Sequence, residues 1–313
     1  MKIQKDIEQY LEVLRKYMGA FDPEKALSTT VEKLRKDYAE TMELGGGYVL
    51  PEGIRRTEFS VETEDHQKIE CLWYERKEAP VHGPAVVYAH GGGMIIGSAR
   101  YAEQTVVQYV QKTGIPFFSV DYRLAPEFTG GTAAKDVFAA VCFLREHAEQ
   151  LQADPARIAV MGDSGGGGIA AACAVLCRDR GVPLAKQILI YPMLDDRTDG
   201  NDERDRLNLF WNHPLNRFAW TQILGDRRGS ADVSCLEAPA RNTDFAGLAD
   251  AYIDVGDLDI FREEDIFYAQ SLLVAGVHCE LHVYPGCPHG FDSMPVKSAE
   301  QAMENRLHVL RSL

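Results

Sequence analysis

The spacing of apolar residues predicts two helices at the start of the chain. Residues 3 to 21 carry apolar side chains at steps of three and four, which is the spacing of one helical face. This stripe consists of Ile3, Ile7, Leu11, Leu14 and Met18. A capping aspartate, a proline and a glutamate follow at 22–24 and predict the start of a second helix, which runs to about residue 42.

After residue 50 the pattern becomes that of strands. Residues 54–62 and 67–76 alternate between apolar and polar side chains, which predicts an antiparallel pair. Later apolar runs are continuous, as in parallel strands buried on both faces. These runs are 85–89, 116–120, 158–161, 187–191 and 251–255. Helical segments at about 102–113, 131–150, 166–181 and 262–275 separate the runs, and a strand at 280–284 precedes a final helix from about 298. The pattern predicts an α/β fold with a mostly parallel central sheet flanked by helices.

Residues 195–249 interrupt this alternation. They begin with an acidic loop at 195–206 that we expect to lie away from the catalytic residues, and an aromatic segment follows. We interpret 195–249 as an excursion between two sheet strands. Together with residues 1–50 it would form a helical cap over a core of residues 51–194 and 250–313. Aromatic residues that could line a pocket under this cap are Tyr10, Tyr17, Phe21, Phe210, Trp211 and Phe218.

The charge of the chain excludes several classes of partner. The 313 residues include 33 Lys and Arg against 47 Asp and Glu, a net charge of −14. Such a chain is too acidic for a general nucleic-acid binder, and anionic membrane surfaces are disfavoured. No apolar run approaches the roughly 18 residues of a membrane span, and the first residues lack the apolar core of a secretory signal. We therefore expect a cytoplasmic protein that acts on a small molecule.

The seven cysteines predict neither disulfides nor a metal site. They form an odd set without a CxxC pair, which argues against a disulfide framework and a zinc ribbon. Cys173 and Cys177 are four residues apart, as two ligands on one helix face would be. No histidine or second cysteine pair stands nearby at ligand spacing, so we predict buried free thiols and no metal.

The strongest chemical signal is a glycine-rich turn between a predicted strand and a predicted helix. Gly162, Ser164 and Gly166 fit the G-x-S-x-G nucleophile elbow, in which a strained turn exposes a serine. Such a turn could instead cradle phosphate. A phosphate loop needs Lys followed by Ser or Thr at the helix start, however, and Ile169 and Ala170 stand there.

A second glycine-rich turn follows the strand at 85–89. His90 precedes three glycines, whose unshielded N–H groups could point at one oxygen, as an oxyanion hole requires. The alternative interpretation is a flexible turn, which the presence of the elbow makes less favourable.

A serine nucleophile needs a histidine base and an acid that orients it. His289 stands in a loop after the last predicted strand, where the chain order Ser, acid, His places the base. For the acid, Asp257 and Asp259 both follow the strand at 251–255, and spacing alone leaves both open.

Taken together, the motifs resemble the hormone-sensitive-lipase-like (family IV) carboxylesterases of the α/β-hydrolase superfamily. They cover about residues 50 to 310 in the family's order. The matching segments are His90–Gly93, Asp121–Glu127, Gly162–Gly166, Tyr191–Asp195, Asp259–Glu264 and His289–Phe291. Three departures are Gly165, where the family commonly has Ala, Ile260, where it usually has Pro, and the segment 128–132, which lacks the family's usual His-Pro.

The resemblance implies the roles of particular residues. It selects Asp259 over Asp257 as the acid, beside Ser164 and His289, and it assigns the oxyanion donors to the amides of Gly92, Gly93 and Gly165. We also expect Arg123 and Glu127 to pair beneath the elbow as a structural contact. The family needs no cofactor, and its members often form a homodimer along the sheet edge near the last strand.

We therefore predict a serine carboxylic-ester hydrolase that acts through an acyl-enzyme on short- to medium-chain acyl esters. A lactonase, amidase or deacetylase would use the same catalytic residues. From another class, a non-catalytic ligand-binding protein of the same fold is the alternative. The intact His289 disfavours it, because receptors that resemble this family have lost that histidine.

Overall fold

The computed structural model describes residues 3–18, 29–43, 48–78, 82–200 and 203–313, and it contains an eight-stranded sheet. The strands are β1 (Ile54–Glu62), β2 (Lys68–Arg76), β3 (Gly83–Ala89), β4 (Phe117–Val120), β5 (Ala153–Asp163), β6 (Lys186–Ile190), β7 (Ala251–Gly256) and β8 (Cys279–Tyr284). Their order is β1-β2-β4-β3-β5-β6-β7-β8. β2 pairs antiparallel with β1 and β4, and all later pairs are parallel. The predicted α/β class is confirmed.

Helices cover both faces of the sheet. They are α1 (Lys5–Met18), α2 (Val31–Glu43), α3 (Glu103–Thr113), α4 (Thr132–Glu146), α5 (Gly165–Asp179), α6 (His213–Leu224), α7 (Arg262–Val274) and α8 (Lys297–Arg311). Alternate residues of β3 enter opposite cores: Val87 packs with residues of α4, α5 and α7, whereas Val86 packs with residues of α1, α3 and α8. The continuous apolar runs therefore reflect burial on both faces, as predicted.

The two leading helices contact the core. Ile7 and Leu11 of α1 are fully buried in the cluster that α3 and α8 share. The Gln4 side chain accepts a hydrogen bond from Ser298 at 2.8 Å, which holds the start of the chain beside α8. α2 begins at Val31, and the start predicted at residues 22–24 lies outside the described residues.

The excursion at 195–249 contains α6 and short 3₁₀ turns at Glu203–Arg206, Gly225–Arg227 and Pro239–Arg241. Arginines of the same segment neutralise much of its acidic loop. Asp196, fully buried, accepts two hydrogen bonds from Arg241, and Asp199 pairs with Arg217. The expectation that the acidic loop lies away from the candidate catalytic residues is wrong, because Arg204 donates to the carbonyl of Asp259 at 3.2 Å.

All seven cysteines lie in the described ranges and carry free thiols. Cys173 and Cys177 are both buried in α5 with their sulfurs 3.9 Å apart, as predicted for unbridged thiols. Within the described ranges, none of the helices has the length and apolar character needed to cross a membrane.

Candidate active site

Ser164 occupies a strained turn between β5 and α5. Its backbone angles are φ 54° and ψ −121°, a conformation that a residue with a side chain rarely adopts. Close packing imposes this turn. A β-carbon on Gly166 would lie 2.1 Å from the carbonyl oxygen of Ala89, so only glycine allows α5 to approach the end of β3. Ser164 is therefore held at the carboxyl end of the sheet, which is the edge where proteins with an open α/β sheet bind their ligands.

The structure brings the three predicted catalytic residues together. The hydroxyl oxygen of Ser164 lies 3.0 Å from Nε2 of His289, and Nδ1 of His289 lies 2.7 Å from Oδ2 of Asp259. The other oxygen of Asp259 accepts the N–H of Phe261 at 2.9 Å, which fixes the carboxylate. Ser164 and His289 are 6% and 4% exposed and Asp259 is fully buried, so the contacts are shielded from water.

The rival acid Asp257 is turned elsewhere. Its carboxylate accepts the N–H of Gly286 at 2.6 Å, and its carbonyl accepts a hydrogen bond from Arg262. Asp257 therefore braces the loop that leads to His289, while Asp259 meets the histidine ring itself. Of the two aspartates that spacing alone left open, Asp259 is the one that contacts His289.

Two of the three glycines assigned to the oxyanion, Gly93 and Gly165, lie against each other. Gly92 and Gly93 have φ of 116° and 57°, in the region that glycine adopts freely. A β-carbon on Gly165 would lie 2.7 Å from the backbone nitrogen of Gly93, so the start of α5 touches this loop directly. An alanine there, as is common in the family, would require the loop to shift.

His90 holds the start of the same loop. Its Nδ1 lies 2.8 Å from the carbonyl oxygen of Gly91, and its ring stacks on Tyr122 with centroids 4.2 Å apart. The hydroxyl of Tyr122 also donates to the carbonyl of His90 at 2.7 Å. Burial lowers the pKa of His90, which favours the neutral ring.

A buried charged network lies behind the histidine. The edge of Tyr191 meets the His289 ring at a centroid distance of 4.6 Å, and its hydroxyl donates to Asp292 at 2.8 Å. Arg306 of α8, only 1% exposed, bonds Asp292 and makes a two-point contact with Asp254 at 2.6 and 2.9 Å. The last helix is thereby tied to the loop that carries His289.

Asp163, next to Ser164, is a further carboxyl of this region. Burial raises its pKa, although the hydroxyl of Tyr88 donates to it and opposes the shift. Asp163, at the base of the elbow, therefore holds its proton more readily than an ordinary aspartate does.

The excursion supplies residues that the motifs did not indicate. The buried Asn208 accepts the N–H of His289 at 2.7 Å and donates to the carbonyl of Leu258 at 2.8 Å. A lone asparagine in an irregular segment carries no sequence signal, because its value depends on which distant backbone groups it meets.

Two aromatic residues of the excursion lie over the site. The six-membered ring of Trp211 occupies the position where a β-carbon on Gly93 would stand, with the nearest ring carbon 2.0 Å from that point. Phe210 lies against Gly290, and its nearest ring carbon is 3.2 Å from the point where a β-carbon on Gly290 would stand. Of the other aromatics suggested for a pocket, Tyr10 and Phe218 pack against the two hydrophobic cores, and nothing is described of the side chains of Tyr17 and Phe21.

The predicted pairing of Arg123 with Glu127 is wrong. Arg123 pairs instead with the fully buried Asp136 at 2.6 Å and with Asp65 at 2.7 Å. Glu127 pairs with Arg35 of α2 at 2.7 Å. Arg123 therefore satisfies a buried carboxylate, and Glu127, near the surface, is free to bind the second helix.

In the part of the chain that the structure describes, no group of three or more His, Cys, Asp or Glu side chains is arranged to hold a metal ion.

Comparison with known proteins shows the family and the fold of the chain. A protein-family model described as the alpha/beta hydrolase fold matches residues 86–293. The carboxylesterase NlhH of Mycobacterium tuberculosis is 34% identical over 241 residues, which cover 73% of this chain and 73% of that protein. The ethyl acetate hydrolase of Pseudomonas putida is 28% identical over 100% of this chain and 99% of that protein. Among solved structures, a bacterial heroin esterase superimposes with a TM-score of 0.89 at 31% identity, covering 99% of this chain and 97% of that chain. The chain therefore belongs to the hormone-sensitive-lipase-like carboxylesterases of the α/β-hydrolase fold, enzymes that hydrolyse carboxylic esters.

Proposed function

We propose that this carboxylesterase cleaves short- to medium-chain acyl esters through an acyl-enzyme formed on Ser164. Ser164 attacks the ester carbonyl while His289 takes its proton, and Asp259 orients the imidazole and stabilises its protonated form. The alcohol leaves with a proton from His289, and water then hydrolyses the acyl-enzyme by the same route. The observation that carries this proposal is the continuous set of contacts from Asp259 through His289 to Ser164, at 2.7 and 3.0 Å.

We assign the negative oxygen of the tetrahedral intermediate to the amides of Gly92, Gly93 and Gly165. The direct packing of Gly165 on the backbone of Gly93 supports this assignment, because the two glycine-rich turns adjoin next to Ser164. One such donor is worth about 10²- to 10³-fold in kcat.

The preference for small acyl groups is supported by the excursion. Trp211 packs directly on Gly93 and is only 4% exposed, so the indole takes up space beside the oxyanion loop. One full-length relative is named for the hydrolysis of ethyl acetate, a small ester. We propose that residues 1–50 and 195–249 together act as a cap that limits the acyl chain in this way.

The nucleophile is tested by replacing Ser164 with alanine and measuring hydrolysis of p-nitrophenyl acetate. We expect kcat to fall at least about a thousandfold. The control is Ser60→Ala on the exposed side of β1, which should leave turnover unchanged. A fluorophosphonate probe should label the native protein on Ser164 and fail to label Ser164→Ala. Substantial turnover by Ser164→Ala would refute the assignment.

The reaction class is tested by a rate panel of p-nitrophenyl esters from C2 to C16, together with lactones and anilides. We expect the highest kcat/KM among the short and medium esters. A higher value for a lactone or an anilide would reassign the enzyme as a lactonase or an amidase with the same catalytic residues.

We also propose that the enzyme forms a homodimer along the edge strand β8. The neighbouring helix α7 exposes Phe267 and Val274, at 56% and 82%, beside that edge. Phe267→Glu should then lower the mass measured by light scattering to that of a single chain, and a single-chain mass for the native protein would refute the dimer. The cytoplasmic location stays a prediction, which cell fractionation would test.

A further inference from the structure

One asparagine side chain of the excursion connects the loops that carry the base and the acid. Asn208 is fully buried, and its oxygen accepts the backbone N–H of His289 at 2.7 Å. Its nitrogen donates to the carbonyl oxygen of Leu258 and to that of Arg204, both at 2.8 Å. All three contacts are to backbone groups, so Asn208 fixes main chain on both sides of the histidine–aspartate pair.

The contact between His289 and Asp259 depends on two loops that different strands deliver. Asp259 follows β7, whereas His289 follows β8, and the two rigid strands end before either side chain is reached. A displacement of about 1 Å at a catalytic group costs up to about 100-fold in rate. Direct bonds from one side chain to the residue before the acid and to the base itself oppose such a displacement.

Few side chains can make all three of these hydrogen bonds to the backbone. A carboxamide accepts and donates at the same time without carrying a charge. An ionised carboxylate in the same place would face the carbonyls of Leu258 and Arg204 without a proton to donate, and a hydroxyl would supply one donor for two carbonyls.

The backbone around Asn208 is itself anchored to the acid. The N–H of Asn208 donates to the carbonyl of Arg204 at 3.0 Å. The Arg204 side chain donates to the carbonyl of Asp259 at 3.2 Å and pairs with Glu263 at 2.8 Å. The segment from 204 to 208 therefore contacts the chain around the acid at two points, the carbonyl of Asp259 and the side chain of Glu263.

We propose that Asn208 is a positioning residue for the His289–Asp259 pair. The proposal rests on the proposed function. It adds that the excursion completes the catalytic geometry besides covering the site. Loss of the side chain should weaken the chemical step, because the histidine ring moves relative to Ser164, and should leave ester binding unchanged.

The test compares Asn208→Ala with Asn212→Ala. Asn212 is a second buried amide, four residues along, whose side chain accepts the N–H of Leu215 at 3.1 Å as the cap of α6. Removing such a cap destabilises a protein without touching the catalytic residues, so Asn212→Ala controls for stability. Both variants are assayed with p-nitrophenyl acetate well below their melting temperatures.

For Asn208→Ala we expect kcat to fall about 10- to 100-fold with KM within about twofold of the native value. The rate of labelling by a fluorophosphonate probe should fall by a similar factor, because that reaction needs an activated serine and no ester binding. Asn212→Ala should keep kcat within about twofold. If Asn208→Ala does not yield folded protein, Asn208→Asp is compared with Asn212→Asp in the same assays.

Three results would overturn the proposal. They are a native kcat and a native labelling rate in the Asn208 variant, an equal fall of kcat in the Asn212 control, or an effect of the Asn208 variant that is confined to KM. The proposed function and the positioning role of Asn208 can be refuted independently of each other. If Ser164→Ala remained active, the nucleophile would be wrong, whereas a neutral Asn208 variant beside an inactive Ser164→Ala would refute only the positioning role.

Discussion

Replacing Arg35 by alanine should loosen α2 from the loop that carries Gly92 and Gly93, the proposed oxyanion donors. Arg35 donates to the carbonyl oxygens of Ile95 and Ala125, both at 2.8 Å, and its two terminal nitrogens meet the two oxygens of Glu127 at 2.7 and 2.8 Å. Ile95 lies two residues after Gly93. One side chain of the leading helical pair thus holds the glycine loop.

The magnitude follows from these contacts. Each bond from the guanidinium to a carbonyl is worth about 1 kcal/mol here, less than a fully buried bond from a charged donor, because the Arg35 side chain is 29% exposed. The Arg35 and Glu127 side chains are 29% and 51% exposed, so their ion pair adds little. A total of about 2 kcal/mol corresponds to a roughly 30-fold change in the docking equilibrium of α2.

The assay combines kcat for p-nitrophenyl acetate with the rate of proteolytic cleavage within α2. For Arg35→Ala we expect faster cleavage and a kcat lower by about tenfold, since only part of the lost free energy reaches the glycine loop. The control is Lys33→Ala on the same helix, whose pair with Asp37 is exposed and contributes little. If both variants had native kcat and equal cleavage rates, the link between α2 and the loop would be refuted.

Three further predictions concern packing and buried charge. Gly166→Ala should cost about 3 kcal/mol in the free energy of unfolding measured with urea, because its β-carbon would stand 2.1 Å from the carbonyl oxygen of Ala89; native stability would contradict this. Burial raises the pKa of Asp265 well above 3.8, and neither of its oxygens has a hydrogen-bond partner among the described residues. The folded state therefore keeps a proton that the unfolded state releases, so stability declines as pH rises from about 4. The stability of Asp265→Asn should not decline in this way, so the melting temperature of the variant should rise relative to that of the native protein between about pH 4 and pH 8. A constant difference between the two melting temperatures would contradict the prediction. Trp211→Ala should raise the ratio of octanoate to acetate hydrolysis by opening space over Gly93, and an unchanged ratio would count against the cap.

The sheet was predictable because each of its central strands is buried on both faces. A strand such as β6 must then be apolar at nearly every position, and the run is visible without knowledge of its neighbours. The elbow was predictable for a similar reason. Its geometry excludes β-carbons at Gly162 and Gly166, so the constraint appears directly as residue identity.

Contacts between distant polar side chains were not predictable in the same way. Arg123 and Glu127 are close in sequence and opposite in charge, yet each has a different partner, because partner choice depends on how separate elements pack. Asn208 was missed because its partners are backbone groups of Leu258 and His289, which every residue possesses.

The position of His289 between β8 and α8 has a consequence for the order in which the molecule becomes active. Arg306 of α8 binds Asp292, three residues after His289, and Asp254 of β7, so docking of α8 adds a further restraint on the histidine loop to those from Asp257 and Asn208. During synthesis the serine turn and the acid are made long before that helix. Full ester turnover therefore depends on this helix, and its appearance during refolding should coincide with the docking of α8.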